Sequence, residues 1–316
     1  MAKALEYNAT MIERVDVTDA LTMFRIQPDK PAEERPWFKP GQYCVLGMNN
    51  AEKPELGSVR RSMSIASAPE DDGPTEFYIR FVSKPESENP LTHLLWKLKN
   101  GDRMYMRPVA AGVFTVPDTI GVDDPRIRVM VAAGTGSAPF VSMLRSELRR
   151  NPKSDLSKWV LLHGASYPAD LGYRDELAGY VATNQLHYFG TVSRPKDTGW
   201  TGDTGRVEAF FESSGAGSRL DDLEKRLGLP VGGFNPKNVV IYICGLTGTI
   251  TGTIIPLIDR GFIPDFKRIR EALGVPPEAK DSVFYEQYDT EPVINVKDPE
   301  VVAPLKARMQ AALAKL

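Results

Sequence analysis

The chain reads VMVAAGTGSAPF at residues 129–140, and this segment is the most informative about the architecture. Its first five residues are apolar, as in a buried strand, and two glycines follow them. After residue 140 the apolar side chains recur with the 3.6-residue spacing of a helix. Pro139 suits the first turn of that helix, because a first turn does not need its missing N–H. The stretch therefore predicts a strand, a tight turn and the beginning of a helix.

The predicted turn also suits a phosphate group. Glycine has no Cβ, so the backbone at Gly134 and Gly136 can approach a ligand closely, with Thr135 between them. The first amides of the helix, from Ala138 onwards, have no partner within the helix and carry a partial positive charge. An ordinary strand-to-helix turn has the same pattern, because short glycine motifs are common. On this stretch alone both interpretations stay open.

Length and composition indicate a globular protein, with two domains expected for 316 residues. The formal net charge of −2 gives no electrostatic reason to expect a nucleic acid partner. No apolar run reaches the roughly 18 residues of a membrane span, and residues 1–6 show no apolar core of a signal peptide. We therefore expect a cytoplasmic protein without a membrane partner. Cys44, Cys244 and the three histidines lack the number and spacing of a metal or iron–sulfur site, so we expect no metal.

Residues 1–118 predict an all-β domain, because short alternating runs are separated by clusters of Pro, Gly and Asp. Phe77, Ile79 and Phe81 alternate with their neighbours as in a half-buried strand. Residues 110–116 predict a strand that closes the domain.

One segment of this domain, RRSMSIAS at residues 60–67, suits an anion. Arginine forks match phosphate oxygens, and serine hydroxyls add short hydrogen bonds. A solvated basic strand edge is the structural alternative. The helix predicted to begin near Leu91 and Thr92 offers a second anion site at its N-terminus.

From residue 127 strands alternate with helices, which predicts a mostly parallel sheet. We expect a linker at 119–126, a second domain at 127–290, and a C-terminal extension with a terminal helix at 291–316. Ligands bind beyond the carboxyl ends of the strands in open α/β sheets, so four converging strand ends favour a ligand site. The predicted strand ends are Gly134, Ser166, Ser193-Arg194 and Cys244-Gly245.

These motifs, in this order, resemble the plant-type ferredoxin–NADP reductase superfamily across residues 38–288. The resemblance implies an N-terminal antiparallel β-barrel flavin domain, followed by a Rossmann-like parallel-sheet nucleotide domain. It implies FAD on the first domain and NADP(H) on the second. The motifs are FxPGQY from Phe38, RxxS from Arg61, GTGxAP from Gly134, Cys244-Gly245 and ExY from Glu286.

The resemblance also implies which residues bind FAD. Arg61 would clamp the pyrophosphate, Ser64 would lie beside the reactive edge of the flavin, and Thr135 would touch the flavin. Met63 departs from the family, which usually has an aromatic residue there, although a soft methionine side chain can contact a ring. The predicted FAD residues are Arg61, Ser62, Met63, Ser64, Tyr78, Ile79, Arg80, Leu91 and Thr92.

The resemblance implies that NADP(H) binds at the glycine turn and at the other strand ends. Two arginines and a hydroxyl would bind the 2′-phosphate and favour NADP(H) over NAD(H). The structural alternative is that Arg194 and Arg206 are ordinary surface charges. Bacterial members often have an arginine near the position of Ser166, and this chain lacks it. The predicted residues are Gly134, Thr135, Gly136, Ala138, Pro139, Ser166, Ser193, Arg194, Arg206, Cys244, Gly245 and Leu246.

The resemblance implies that Ser64, Cys244 and Glu286 are catalytic. A thiol can lie beside a nicotinamide without blocking it, and Glu286 would orient the nicotinamide side and pass protons. The structural alternatives are a buried small cysteine and a surface glutamate. Tyr288 matches the aromatic residue that covers the flavin in family members.

The chain continues beyond Tyr288, whereas plant-type members stop at that position. Asp298 and Pro299 predict the start of a helix with an apolar face that includes Leu305 and Met309. This helix either packs on its own domain or clamps Tyr288 against the flavin.

We therefore expect an FAD-dependent oxidoreductase that transfers electrons between NADPH and a ferredoxin or flavodoxin, which would bind transiently. Hydride transfer to flavin N5 would link the two-electron donor to the one-electron carrier. The alternatives are a flavin reductase, the reductase component of a multicomponent oxygenase, or a regulatory module that senses a nucleotide. The sequence favours no particular oligomeric state.

Overall fold

The computed structural model describes residues 4–30, 36–196, 198–212 and 218–315. The chain divides into two compact units. The β unit comprises Met1–Val122 and Ala138–Ser154, and the α/β unit comprises Asp123–Ser137 and Asp155–Leu316.

An antiparallel sheet forms most of the β unit. Its strands are β1 (Ala9–Thr18), β2 (Leu21–Pro28), β3 (Tyr43–Asn49), β4 (Ser58–Ser64), β5 (Thr75–Arg80) and β6 (Arg103–Met106). They lie in the order β4-β3-β6-β1-β2-β5. A bridge between Ile65 and Phe77 joins the chain after β4 to β5, so the sheet curls towards a barrel and leaves little open edge.

Three helices of the β unit are α1 (Leu91–Leu95), α2 (Val116–Thr119) and α3 (Ala138–Arg150). Helix α3 is tied to the strands by polar contacts at buried positions. The Arg145 guanidinium donates to Glu76 Oε1 at 2.8 Å, and Ser142 Oγ donates to the Ser67 carbonyl at 2.7 Å. Glu76 is buried and also accepts from Arg25 at 2.9 Å, so two guanidinium groups compensate one buried carboxylate.

A parallel sheet forms the centre of the α/β unit. Its strands are β7 (Ile127–Ala133), β8 (Trp159–Ala165), β9 (His187–Val192), β10 (Asp203–Thr204), β11 (Val239–Gly245) and β12 (Val283–Gln287). They lie in the order β10-β9-β8-β7-β11-β12, so the direction of strand addition reverses between β7 and β11. Such a reversal opens a crevice at the carboxyl ends of the two strands.

Helices cover this sheet and bury its apolar runs. They are α4 (Arg174–Asn184), α5 (Arg219–Arg226), α6 (Thr247–Ile258), α7 (Lys267–Leu273) and α8 (Pro299–Leu313). Every residue of β11 is buried, as expected for a parallel strand covered on both faces. Leu305 and Met309 of α8 belong to the same core cluster as Ile241 and Ile254. The terminal helix therefore packs on its own unit, which is the first of the two alternatives for it.

The predicted fold class, an antiparallel β domain followed by a parallel α/β domain, is confirmed. The domain limits drawn from the sequence stay predictions. The closing strand expected at residues 110–116 is wrong, because only Ala111 forms a bridge there and Thr115 instead caps α2 by accepting from Asp118 N at 3.1 Å. Among the described residues, no helix has the length and apolar character needed to cross a bilayer.

Candidate nucleotide and flavin site

The parallel register brings the predicted strand ends of the α/β unit to one edge. Cys244 pairs with Ala132 of β7 on one side and with Glu286 of β12 on the other. Ala165 pairs with Val192, so the segments after β8 and β9 also leave the sheet together. This edge contains the strand-order reversal and most of the residues predicted to contact a nucleotide.

The glycine turn after β7 has one open side and one tightly packed side. Gly134 has a φ of 56°, and a Cβ placed on it would meet nothing within 4 Å. A Cβ placed on Gly136 would lie 2.1 Å from the carbonyl oxygen of Cys244, so only glycine fits there. The turn is thus seated on the end of β11, and Gly134 faces open space. Ala138 and Pro139 begin α3 and are buried.

A buried histidine that sequence reasoning did not assign supports this turn. His163 of β8 is fully buried, and its Nε2 lies 3.2 Å from the Gly134 carbonyl oxygen. Burial lowers the pKa of His163 to about 4, so the ring is neutral at pH 7. A carbonyl only accepts, so Nε2 carries the proton and Nδ1 accepts from the Tyr188 hydroxyl at 3.4 Å. The only signal in the sequence was a polar residue inside the apolar strand WVLLHGA.

Cys244, Glu286 and Tyr288 lie together at the end of β11 and β12. The Cys244 thiol is fully buried and donates to the Tyr288 hydroxyl at 3.1 Å, while Glu286 Oε2 lies 3.9 Å away. Burial, together with the nearby Glu286 carboxylate, raises the pKa of Cys244 well above its ordinary value. The thiol therefore remains neutral at physiological pH. Tyr288 keeps 44% of its surface exposed, so the hydroxyl is engaged while much of the ring is open.

The three residues predicted for a 2′-phosphate follow β9 and β10, which are neighbours in the sheet. Gly205 N donates to the Val192 carbonyl at 2.9 Å, which brings Arg206 to the same edge as Arg194. Ser193 and Arg194 are exposed, and the Arg194 guanidinium lies 5.9 Å from the ring centroid of Tyr167. Arg194 N donates to the Ser166 carbonyl at 2.9 Å. Arg206 has a side chain that is 78% exposed, with Glu208 at 3.8 Å.

In the β unit, β4 exposes Arg61 and Ser62 and buries Ser64. The Arg61 guanidinium donates to the Arg60 carbonyl at 2.8 Å. Met63 is half-buried and packs against the core of the unit. These four residues follow one another on β4, at one end of the strand order, and their contact with FAD stays a prediction.

The remaining predicted FAD residues differ in exposure. Tyr78 and Ile79 of β5 are buried, whereas Arg80 at the end of the strand is exposed. Leu91 and Thr92 are buried in the first turn of α1, and Thr92 Oγ accepts from Val82 N at 3.3 Å. Their contact with FAD stays a prediction.

The comparisons with known proteins agree with this fold. Residues 130–253 match the family described as the oxidoreductase NAD-binding domain. The chain is 31% identical to ferredoxin–NADP reductase B of Sorangium cellulosum (strain So ce56) over 235 residues, which is 74% of this chain and 80% of the relative. It is 31% identical to the flavodoxin/ferredoxin–NADP reductase of Shigella flexneri over 215 residues, 66% of this chain and 74% of the relative.

A crystal structure of a ferredoxin NADP+ reductase from Neisseria gonorrhoeae with bound FAD and NADP has a similar fold. The TM-score is 0.67 at 22% identity, and the match covers 89% of this chain and 97% of that one. Together with the relatives above, this fold indicates a two-unit flavin and nicotinamide-nucleotide oxidoreductase. The chain belongs to the ferredoxin–NADP reductase family.

Proposed function

We propose that the protein is an FAD-dependent oxidoreductase that transfers electrons between NADPH and a ferredoxin or flavodoxin. The observation that carries the proposal is the glycine turn of residues 134–136, seated on Cys244 at the strand-order reversal. Bound FAD would supply the chemistry that converts one hydride into two single electrons. The protein has to bind both cofactors, orient them and control protons around them.

The α/β unit fits a nicotinamide nucleotide. The space beside Gly134 allows a nucleotide to lie close to the main chain there. His163 fixes the orientation of the turn by donating to the Gly134 carbonyl. Arg194 and Arg206 supply exposed guanidinium groups on the same edge, which suits a phosphate monoester. In this proposal Ser193, Arg194 and Arg206 bind the 2′-phosphate and select NADP(H).

The β unit fits FAD through β4 and the end of β5. Arg61 and Arg80 are exposed cations on strands, and Ser62 adds a hydroxyl beside Arg61. We assign the FAD pyrophosphate to Arg61 and the reactive edge of the flavin to Ser64.

Cys244, Glu286 and Tyr288 would line the nicotinamide end of the site. A neutral thiol adds no charge next to a ring that changes charge during hydride transfer, and it is small enough to admit the ring. Glu286 is half-buried and is a carboxylate at the open edge of the sheet, so it can hold or release a proton there.

The purified protein tests this proposal directly. We expect a yellow protein that releases FAD on denaturation, loses its visible absorbance on anaerobic addition of NADPH, and recovers it when oxidised ferredoxin or flavodoxin is added. Recovery with free flavin and none with either carrier would indicate a flavin reductase. A colourless protein, or a flavin that NADPH does not reduce, would favour the nucleotide-sensing alternative.

A pair of neighbouring arginines tests the assignment of FAD. Arg61→Ala should weaken FAD binding by about 1.5–3 kcal/mol, the range for a hydrogen bond to a charged group. Arg60→Ala is the matched control, because adjacent strand residues point to opposite faces. Equal FAD dissociation constants for the two variants would contradict the role of Arg61.

Arg194 tests the choice of coenzyme. Arg194→Ala should raise the KM for NADPH roughly tenfold and leave that for NADH nearly unchanged, because only NADPH carries the 2′-phosphate. Lys196→Ala, an exposed cation two residues away, is the control. If NADPH and NADH lose activity equally in Arg194→Ala, the arginine has a structural role.

A further inference from the structure

The segment that follows β12 is attached to the N-terminus of α6. Helix α6 begins directly after β11, and the residue before it, Leu246, has no side chain able to cap the helix. Asp289 takes that role from outside the helix. Its carboxylate accepts from Thr247 N at 3.0 Å and from the Thr247 hydroxyl. A carboxylate at this position also complements the partial positive charge of a helix N-terminus.

A second side chain completes this arrangement. Gln287 Nε2 donates to Asp289 Oδ1 and to the Glu291 carbonyl, both at 2.6 Å. Partial burial acts to raise the pKa of Asp289, but the hydrogen bonds from Thr247 and Gln287 outweigh it and lower the pKa below its ordinary value. The carboxylate is therefore ionised at neutral pH. One turn further along α6, Thr251 Oγ donates to the Val293 carbonyl at 2.6 Å.

Tyr288 lies in the sequence between Gln287 and Asp289. Its backbone N donates to the Gly245 carbonyl at 3.0 Å, which extends the pairing of β11 with β12 by one residue. Side chains alternate along an extended segment, so Gln287 and Asp289 share one face and Tyr288 has the other. On that other face the Tyr288 hydroxyl accepts a hydrogen bond from the Cys244 thiol at 3.1 Å.

We propose that Asp289 is a positioning residue, which caps α6 and thereby holds Tyr288 against Cys244. The hydrogen bond from Tyr288 N is the last one to β11, so on the far side of Tyr288 it is the contact of Asp289 with α6 that holds the main chain. The importance of this for hydride transfer rests on the proposed function, which assigns Cys244 and Tyr288 to the nicotinamide site. The contact itself does not depend on that assignment.

The reactivity of the Cys244 thiol reports whether this segment is closed. Cys244 is fully buried with a raised pKa, so an alkylating reagent reaches its thiolate only when the segment opens. The purified full-length protein is treated with iodoacetamide, and the alkylation rate at Cys244 is followed by peptide mass spectrometry. Cys44, which is buried in the β unit and donates to the Arg107 carbonyl at 3.0 Å, is an internal reference in the same sample.

We expect Asp289→Ala to raise the alkylation rate at Cys244 about fivefold, the factor that the loss of a helix cap typically gives in a local opening equilibrium. The rate at Cys44 should not change. Asp289→Asn retains an oxygen that can cap the helix and should stay within about threefold of the wild type. If Asp289→Ala does not yield folded protein, Gln287→Ala removes one donor to the same carboxylate and should raise the rate about threefold.

Asp298→Ala is the matched control. Asp298 caps α8 by accepting from Glu300 N at 3.0 Å, so the variant loses a cap of the same kind. Alkylation of Cys244 should remain at the wild-type rate in this control. The inference is overturned if Asp289→Ala reacts like the wild type, or if Asp298→Ala reacts as fast as Asp289→Ala. A protein that purifies without FAD would contradict the proposed function and leave the thiol comparison intact.

Discussion

His163 shows how one buried residue can link pH to the shape of a ligand-binding turn. Its pKa in the folded protein is about 4, against 6.5 for an ordinary histidine, because burial disfavours the charged ring. Between these two pH values the unfolded chain binds a proton that the folded chain does not bind. The contribution to stability is therefore complete above pH 6.5 and is lost as the pH falls towards 4.

The expected loss for the wild type across this window is roughly 3 kcal/mol from His163. His163→Gln keeps an amide that can donate to the Gly134 carbonyl and has no titrating ring. Denaturant unfolding at several pH values should give a shallower decline for His163→Gln than for the wild type between pH 6.5 and 4. Parallel curves for the two proteins would mean that His163 is not held neutral.

At the scale of an element, the glycine turn after β7 gives a graded set of substitutions. Gly136→Ala would place a Cβ 2.1 Å from the Cys244 carbonyl oxygen, so β11 or the turn has to move. Gly134→Ala meets no atom within 4 Å and has only the backbone strain of a positive φ, about 1–2 kcal/mol. Gly248 lies in α6 with open space around it, and alanine there should stabilise the helix by up to about 1 kcal/mol.

We therefore expect unfolding free energies in the order Gly248→Ala, wild type, Gly134→Ala and Gly136→Ala, from most to least stable. NADP+ affinity, measured by calorimetry, should fall most in Gly136→Ala, because the turn is displaced from its seat. An affinity equal to that of the wild type would show that the turn does not bind the nucleotide.

The elements that the sequence predicted correctly are those whose signal is local. The apolar runs of β7, β8 and β11 are buried on both faces, and Asp298 with Pro299 marked the beginning of α8. The sequence indicated a half-buried strand around Phe77, but residues 75–79 of β5 are all buried. Glu76, on the face expected to be exposed, is covered by a contact 69 positions away, where Arg145 of α3 pairs with it, and no local pattern encodes such a partner.

The residues of the candidate site, whose roles stay predictions, differ in the same way in how local their signal is. Gly134, Cys244 and Glu286 were predicted because they belong to short motifs in a recognisable order. His163 and Asp289 were not, because each acts through a hydrogen bond to a residue distant in sequence, Gly134 and Thr247 respectively. A histidine within an apolar strand and an aspartate after a strand have ordinary structural explanations until their partners are known.

At the scale of the whole molecule, α8 is the feature that extends beyond the motifs of the family. Its apolar face belongs to the core of the α/β unit, and Met309 is fully buried. Arg308 pairs with Asp259 at 2.7 Å and donates to the Ile255 carbonyl at 2.8 Å, so polar contacts also attach the helix to the end of α6. These contacts predict that α8 contributes to the stability of its own unit and does not control access to the flavin.

Met309→Ala tests this directly, since it leaves Asp289 and the rest of the segment after Tyr288 unchanged. Removing the buried side chain should lower the unfolding free energy by about 2–5 kcal/mol, because it leaves a cavity in the core. Val301 is 37% exposed, so Val301→Ala should lower the unfolding free energy much less. At a temperature where both variants remain folded, the visible spectrum and the rate of flavin reduction by NADPH should match the wild type. Faster flavin reduction with a shifted flavin spectrum in Met309→Ala, and not in Val301→Ala, would instead mean that the helix restrains Tyr288 as a clamp.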